Sequence, residues 1–148
     1  MENKDFTTTI LVAQSPSSVF DAVTSPQQWW AGEIEGKSSA LGDEFTYRYK
    51  DFHMSKQRVV AFIPEKKIEW LVTESVINYV VDKDEWTGTR IVFEILPLGD
   101  KTQLRFTHIG LHPNLPCFES CSTTWANLLQ RSLFGLITTG KAEKLVLG

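Results

Sequence analysis

The chain has 148 residues, a net charge of −3, 42% hydrophobic residues and 22% charged residues, the balance of one ordinary globular domain spanning 1–148. Such a length buries roughly 68% of the surface exposed on unfolding, so no disulfide or metal is required to hold the fold. Scattered Lys and Arg residues leave no footprint for nucleic acid, no apolar run approaches the ~18 residues of a membrane span, and the polar start Met1 to Asp5 shows no secretory signal. A cytoplasmic protein is expected, and Cys117 and Cys121 fit a reducing compartment as packed thiols.

Phe6 to Ala13 alternates Phe6, Thr8, Ile10 and Val12 against Thr7, Thr9, Leu11 and Ala13, which predicts an opening strand. Ser15-Pro16 stops it and starts a short helix carrying Val19, Phe20 and Val23. Ser25-Pro26 repeats the device, predicting a second short helix from Pro26 to about Ala31 that carries Trp29 and Trp30 and breaks at Gly32. A loop then runs through Gly36 and Gly42-Asp43.

Strands follow, each bounded by turn residues. Phe45, Tyr47 and Tyr49 alternate with Thr46, Arg48 and Lys50; Gln57 to Phe62 runs to the turn Pro64-Glu65-Lys66; Ile68, Trp70 and Val72 alternate with Glu69 and Leu71. Asn78 to Trp86 reads either as the end of a short strand from Val76 to Val81 or as an irregular excursion, with Asp82-Lys83-Asp84-Glu85 solvated. Thr89, Ile91, Phe93 and Ile95 form a clean face, and after the turn Leu98-Gly99-Asp100-Lys101 a strand runs from Thr102 to Ile109 with Leu104, Phe106 and His108 on one side. The count is six to seven antiparallel strands.

A long helix closes the chain. Phe118, Cys121, Trp125, Leu128, Leu129, Leu133, Leu136 and Ile137 recur at spacings of three and four, giving one apolar stripe from about Cys117 to Thr139, with Gly140 as a left-handed stop. A stripe of that width must be covered, and the matching apolar surface is the sheet. The expected fold is therefore α+β, a curved antiparallel sheet wrapped around the C-terminal helix, with two short helices after the first strand.

Five tryptophans and 11% aromatic residues exceed what a small core needs. Trp30, Tyr47, Phe62, Trp70, Phe93, Phe106 and Trp125, with Leu129 and Leu133, are expected to line the groove between sheet and helix, where Tyr47 and His108 would supply polar points. Of the three histidines, His53, His108 and His112, alternation turns only His108 inward, and no serine or cysteine stands in a strained glycine-flanked turn. His108, His112, Cys117 and Cys121 offer imidazole and thiolate donors, but their spacing matches no common zinc module; no metal and no cofactor are expected.

These pieces in this order resemble the AHSA1-like (activator of Hsp90 ATPase homologue-like) family of the START/Bet v 1, or SRPBCC, superfamily. The resemblance rests on Ser15-Pro16 with Val19 to Val23, Trp29-Trp30, Gly42-Asp43-Glu44-Phe45 and Glu69-Trp70. It continues through Thr89 to Glu94, Thr102-Gln103-Leu104, Phe106 to Leu111, and Trp125 with Leu128-Leu129. It implies the helix-grip fold over nearly the whole chain. The expected activity is non-catalytic binding of a small hydrophobic or amphipathic ligand in the groove. Two alternatives are a protein-protein role, such as chaperone ATPase activation or a stress response, and a cyclase- or hydrolase-like enzyme using His108.

Overall fold

A computed structural model of the protein describes residues 6–30, 33–38, 40–49, 53–77, 87–110 and 118–140. The first strand, β1 (Phe6–Val12), buries Ile10 and Val12 and leaves Leu11 outside, as its alternation predicts. Ser15 caps α1 (Pro16–Val23): its hydroxyl accepts from the Ser18 N–H at 3.2 Å, and Pro16 fills a first-turn position that needs no donor. Val19, Phe20 and Val23 form the buried face of α1.

The second helix, α2 (Pro26–Trp29), is shorter than predicted. Ser25 makes no side-chain cap bond, and Trp30 already adopts an extended backbone with φ −81° and ψ 124°. The predicted break at Gly32 lies outside the described residues. The loop expected through Gly36 contains a strand instead, β2 (Glu33–Gly36), paired antiparallel with β3 (Glu44–Tyr49). With Ile34 its only large apolar side chain, β2 has no alternation to read; pairing, not pattern, makes it a strand. Gly36, at φ 110°, closes that pair where a Cβ would run into the Glu44 carbonyl.

β4 (His53–Ile63) and β5 (Lys67–Ile77) outrun the segments predicted from 57–62 and 68–72. Their added residues are mostly polar, and they pair with one another from His53↔Ile77 to Lys56↔Glu74. Val76 and Ile77 thus belong to β5, while the rest of the ambiguous stretch, including Asp82 to Glu85, lies outside the described residues. β6 (Arg90–Leu98) and β7 (Lys101–Ile109) join through a turn with Gly99 at φ 65°.

The seven strands among the described residues form one antiparallel sheet in the order β1-β7-β6-β5-β4-β3-β2. Register shifts leave one extra residue in each strand of the β4–β5 pair, Thr73 opposite Lys56/Gln57 and Val60 between Val59 and Ala61, and such bulges add the twist that curls a sheet. On the concave side lies the C-terminal helix: α3 (Phe118–Asn127), a π-helical segment (Leu128–Leu133) and α4 (Phe134–Thr139). Cys121, Trp125, Leu128, Leu129, Leu133 and Ile137 of the predicted stripe are buried, and Leu136 packs against them. Gly140 ends the helix at φ 82°, its N–H donating to the Leu136 carbonyl at 3.0 Å. No helix among the described residues is long and apolar enough to cross a membrane.

Candidate functional site

Pairing register lays the inward side chains in rows across the concave face. One row is Phe106 (β7), Phe93 (β6), Ile68 (β5) and Phe62 (β4); the next is His108, Ile91, Trp70 and Val59. Beyond these, Val72 pairs with Gln57, and Gln57 with Phe45; Ser75 pairs with Ser55, and Ser55 with Tyr47. The face is therefore zoned. Aromatic residues fill its middle, and hydroxyl and amide groups gather at the end where β3, β5 and β7 finish.

In the aromatic zone Trp30 is the hub. Its ring stacks on Tyr47 at 4.1 Å, lies parallel to Trp70 at 6.3 Å, and meets Trp125 from the helix at 5.1 Å. Trp70 contacts Phe45 and Phe93 edge-on, each at 4.9 Å, and Phe106 meets Trp125 at 4.6 Å. Of the ten residues expected to line the groove, Trp30, Tyr47, Trp70, Phe93, Phe106, His108, Trp125, Leu129 and Leu133 are buried together. Phe62 is only half-buried. It lies toward the opposite end of the face, edge-on to Phe20 of α1 at 5.1 Å, so it packs under the first helix.

His108 has no exposure, and both its ring nitrogens are engaged. The Trp125 indole N–H donates to Nδ1 at 3.1 Å, and Nε2 lies 2.8 Å from the Thr89 hydroxyl. An indole can only donate, so Nδ1 is the acceptor and the proton belongs on Nε2, directed at Thr89. The imidazole links sheet to helix. Tyr47 is equally buried under Trp30.

Several residues of the polar zone went unforeseen. Gln57 and Ser55 are fully buried, with the Gln57 amide nitrogen donating to the Ser55 hydroxyl at 2.6 Å. Ser75 meets the Thr87 hydroxyl at 3.2 Å. On the helix, buried Ser132 donates to the Trp29 carbonyl at 2.6 Å and ties the π-helical segment to α2. Gln57 could have been found, since it shares strand parity with Val59. So could Ser55, which continues the same parity; Ser75 could not, because the extra residue Thr73 interrupts the parity of β5.

Among the described residues four buried side-chain polar atoms have no hydrogen-bond partner; Gln14 Oε1 follows β1, and the other three, the Gln57 carbonyl oxygen and the indole nitrogens of Trp29 and Trp70, lie in or beside this face. A buried donor or acceptor left unpaired costs about 1–3 kcal/mol, so three of them need a reason.

No group of three or more His, Cys, Asp or Glu residues among the described residues is arranged to hold a metal ion. The expectation of packed thiols is corrected at Cys121, which is buried but disulfide-bonded. A disulfide sulfur is not a thiolate, so this residue lends no support to a reducing compartment and is no zinc donor as it stands. Cys117 and His112 lie outside the described residues, as does the His53 side chain.

A curved antiparallel sheet gripping a long C-terminal helix over an aromatic core defines the SRPBCC class of helix-grip proteins. The chain belongs to the family described as activator of Hsp90 ATPase homolog 1-like protein, whose family model matches residues 13–136. It is similar to the Aha1 dimer from Colwellia psychrerythraea, with 25% identity and a TM-score of 0.75 over 94% of this chain and 99% of that one. A Staphylococcus saprophyticus protein shares the fold at 14% identity and a TM-score of 0.71, over 97% of this chain and 98% of the other. An Enterococcus faecalis protein does so at 17% identity and a TM-score of 0.67, over 100% and 80%. No curated protein matches the chain.

Proposed function

We propose that the protein reversibly binds a small amphipathic ligand between the sheet and the C-terminal helix. The observation that carries this reading is the set of unpartnered buried polar atoms at Gln57, Trp29 and Trp70, set among aromatic walls that offer an apolar body a matching surface. A pure packing core gains nothing from such atoms, whereas a bound molecule can complete them. Trp30, Trp70, Phe93, Phe106 and Trp125 would form the walls, Leu129 and Leu133 the helix side. With the Trp125 indole on one nitrogen and the Thr89 hydroxyl on the other, His108 would serve to position Trp125 against the sheet.

The test is native mass spectrometry of protein purified from its own host, followed by titration with the neutral apolar probe N-phenyl-1-naphthylamine. A co-purifying small molecule, or saturable quenching of tryptophan fluorescence at one probe per chain, is expected. Absence of both a bound mass and saturable quenching would overturn the reading.

A second reading, action on a protein partner, has its own observation. Leu11, Gln103 and Leu96 lie in one row on the convex face, with Leu98 beside them, and the three leucines are 49%, 50% and 44% exposed for Leu11, Leu96 and Leu98. The family description adds the chaperone ATPase as a candidate partner. Stimulation of an Hsp90-type ATPase by the wild type, lost on changing Leu11 and Leu96 to Ser, would establish that role.

A further inference from the structure

Resting on the ligand-binding reading, we infer that the polar zone selects an uncharged hydrogen-bonding head group, such as a hydroxyl, and rejects a carboxylate, with Gln57 as the specificity-determining residue. Two observations meet here. The first is the half-satisfied amide. Gln57 has no exposure, its nitrogen is bonded to Ser55, and its carbonyl oxygen has no partner. Exchanging the amide's oxygen and nitrogen does not remove the vacancy, because the single Ser55 hydroxyl serves one of them and leaves the other unpaired. A hydroxyl can donate to an oxygen or accept from an N–H, so it completes the amide in either orientation.

The second observation is the charge of the zone. Buried polar residues among the described ones are Ser38, Ser55, Gln57, Ser75, Thr102, His108 and Ser132, with no Lys or Arg among them. The cations nearest in sequence, Lys56 and Arg58, remain partly exposed and pair with Glu44. A carboxylate placed beside Gln57 would lose its water with no buried opposite charge among the described residues to replace it, and in the orientation shown would face an acceptor oxygen. Trp70 adds a donor of the right kind. It stands diagonal to Gln57 across the β4–β5 pair, its ring rests on Phe45, the direct partner of Gln57, and its indole N–H is unpartnered. A hydroxyl that accepts from one group and donates to the other fits this pair, and neither an anion nor a purely apolar end does so.

The experiment titrates three ligands with the same alkyl body, 1-decanol, 1-chlorodecane and decanoate at pH 8, into wild type and Gln57→Leu. Tryptophan quenching gives the binding, and calorimetry checks it. In the wild type decanol should bind about tenfold more tightly than chlorodecane, and decanoate most weakly. Gln57→Leu should lower decanol affinity to that of chlorodecane while chlorodecane stays within about twofold. Tightest binding by decanoate, equal binding of decanol and chlorodecane by the wild type, or a decanol preference that survives in Gln57→Leu would overturn the inference. Saturable chlorodecane binding in those cases would leave the groove itself standing, whereas failure of all three ligands would remove the ligand-binding reading as well. Thermal melting checks that the variant folds, and Gln57→Met replaces it if Leu does not.

Discussion

Trp125 and His108 hold each other by a hydrogen bond and an edge-on ring contact at 6.0 Å, deep between sheet and helix. Two substitutions separate the bond from the packing. Trp125→Phe keeps most of the ring surface but leaves Nδ1 of His108 without its donor, which should cost about 1–3 kcal/mol in urea denaturation. Trp125→Ala also removes contacts with Trp30 and Phe106, and should cost about 3–5 kcal/mol. Equal losses for the two would mean that the bond, not the ring, carries the site. On the surface, the Arg58 side chain hydrogen-bonds Glu44, and with the Lys56 charge this holds the Glu44 carboxyl below its ordinary pKa. A lowered folded-state pKa means stability present above the unfolded value and lost as pH falls through the folded one. The melting difference between wild type and Glu44→Gln should therefore be present at pH 7 and vanish in the acid range below ordinary carboxylate titration. A difference that grows on acidification would contradict the pairing.

Along the C-terminal helix, Cys121, Trp125, Leu129, Leu133 and Ile137 recur every fourth residue and are all buried. On a regular α-helix each four-residue step drifts by about 40°, so such a series would wind off the sheet within a few turns. The wider turn at Leu128–Leu133 takes up the excess and keeps Ile137 inward. Trp125 and Ile137 would be brought into phase on a regular helix by the loss of one residue between them, since eleven residues make close to three turns. Deleting Arg131, which is exposed, should thus leave a folded protein with near-wild-type melting and a regular helix, whereas inserting one residue there should destabilise it strongly. Ordinary i,i+3/i+4 spacing predicted this helix and its Gly140 stop, but the π-helical segment is set by tertiary demand on phase and leaves no mark in local propensity. The same division explains the sheet. Ser15-Pro16 is a local signal and was legible; β2 and the polar ends of β4 and β5 exist because a neighbour pairs with them. Under the helix, alternation found the aromatic walls and, carried back along β4, reaches Gln57 and Ser55 as well, whereas Ser75 was hidden because the extra residue Thr73 breaks the parity of β5.

For the molecule as a whole, the curved sheet makes one continuous core from residues far apart in sequence. Ile10 and Val12 of β1 join Leu104 and Phe106 of β7 in that core. The side chains of Thr7 and Thr107, 100 residues apart, lie within 3.3 Å. Closing the chain's longest loop is a late event for such topologies, because its entropy cost falls due before the contacts that repay it. Ile10→Val, costing about 1 kcal/mol, should accordingly speed unfolding and leave the refolding rate unchanged in stopped-flow chevrons; slowed refolding would place the meeting of the termini in the nucleus. The order of strands also acts before folding is complete. During synthesis at about 5–20 residues per second, β1 emerges roughly 5–20 s before the strand that receives it. Through that interval its threonines and leucine travel as an unpaired edge, and the nascent chain's exposure to wrong partners is set by how long the ribosome takes to deliver β7.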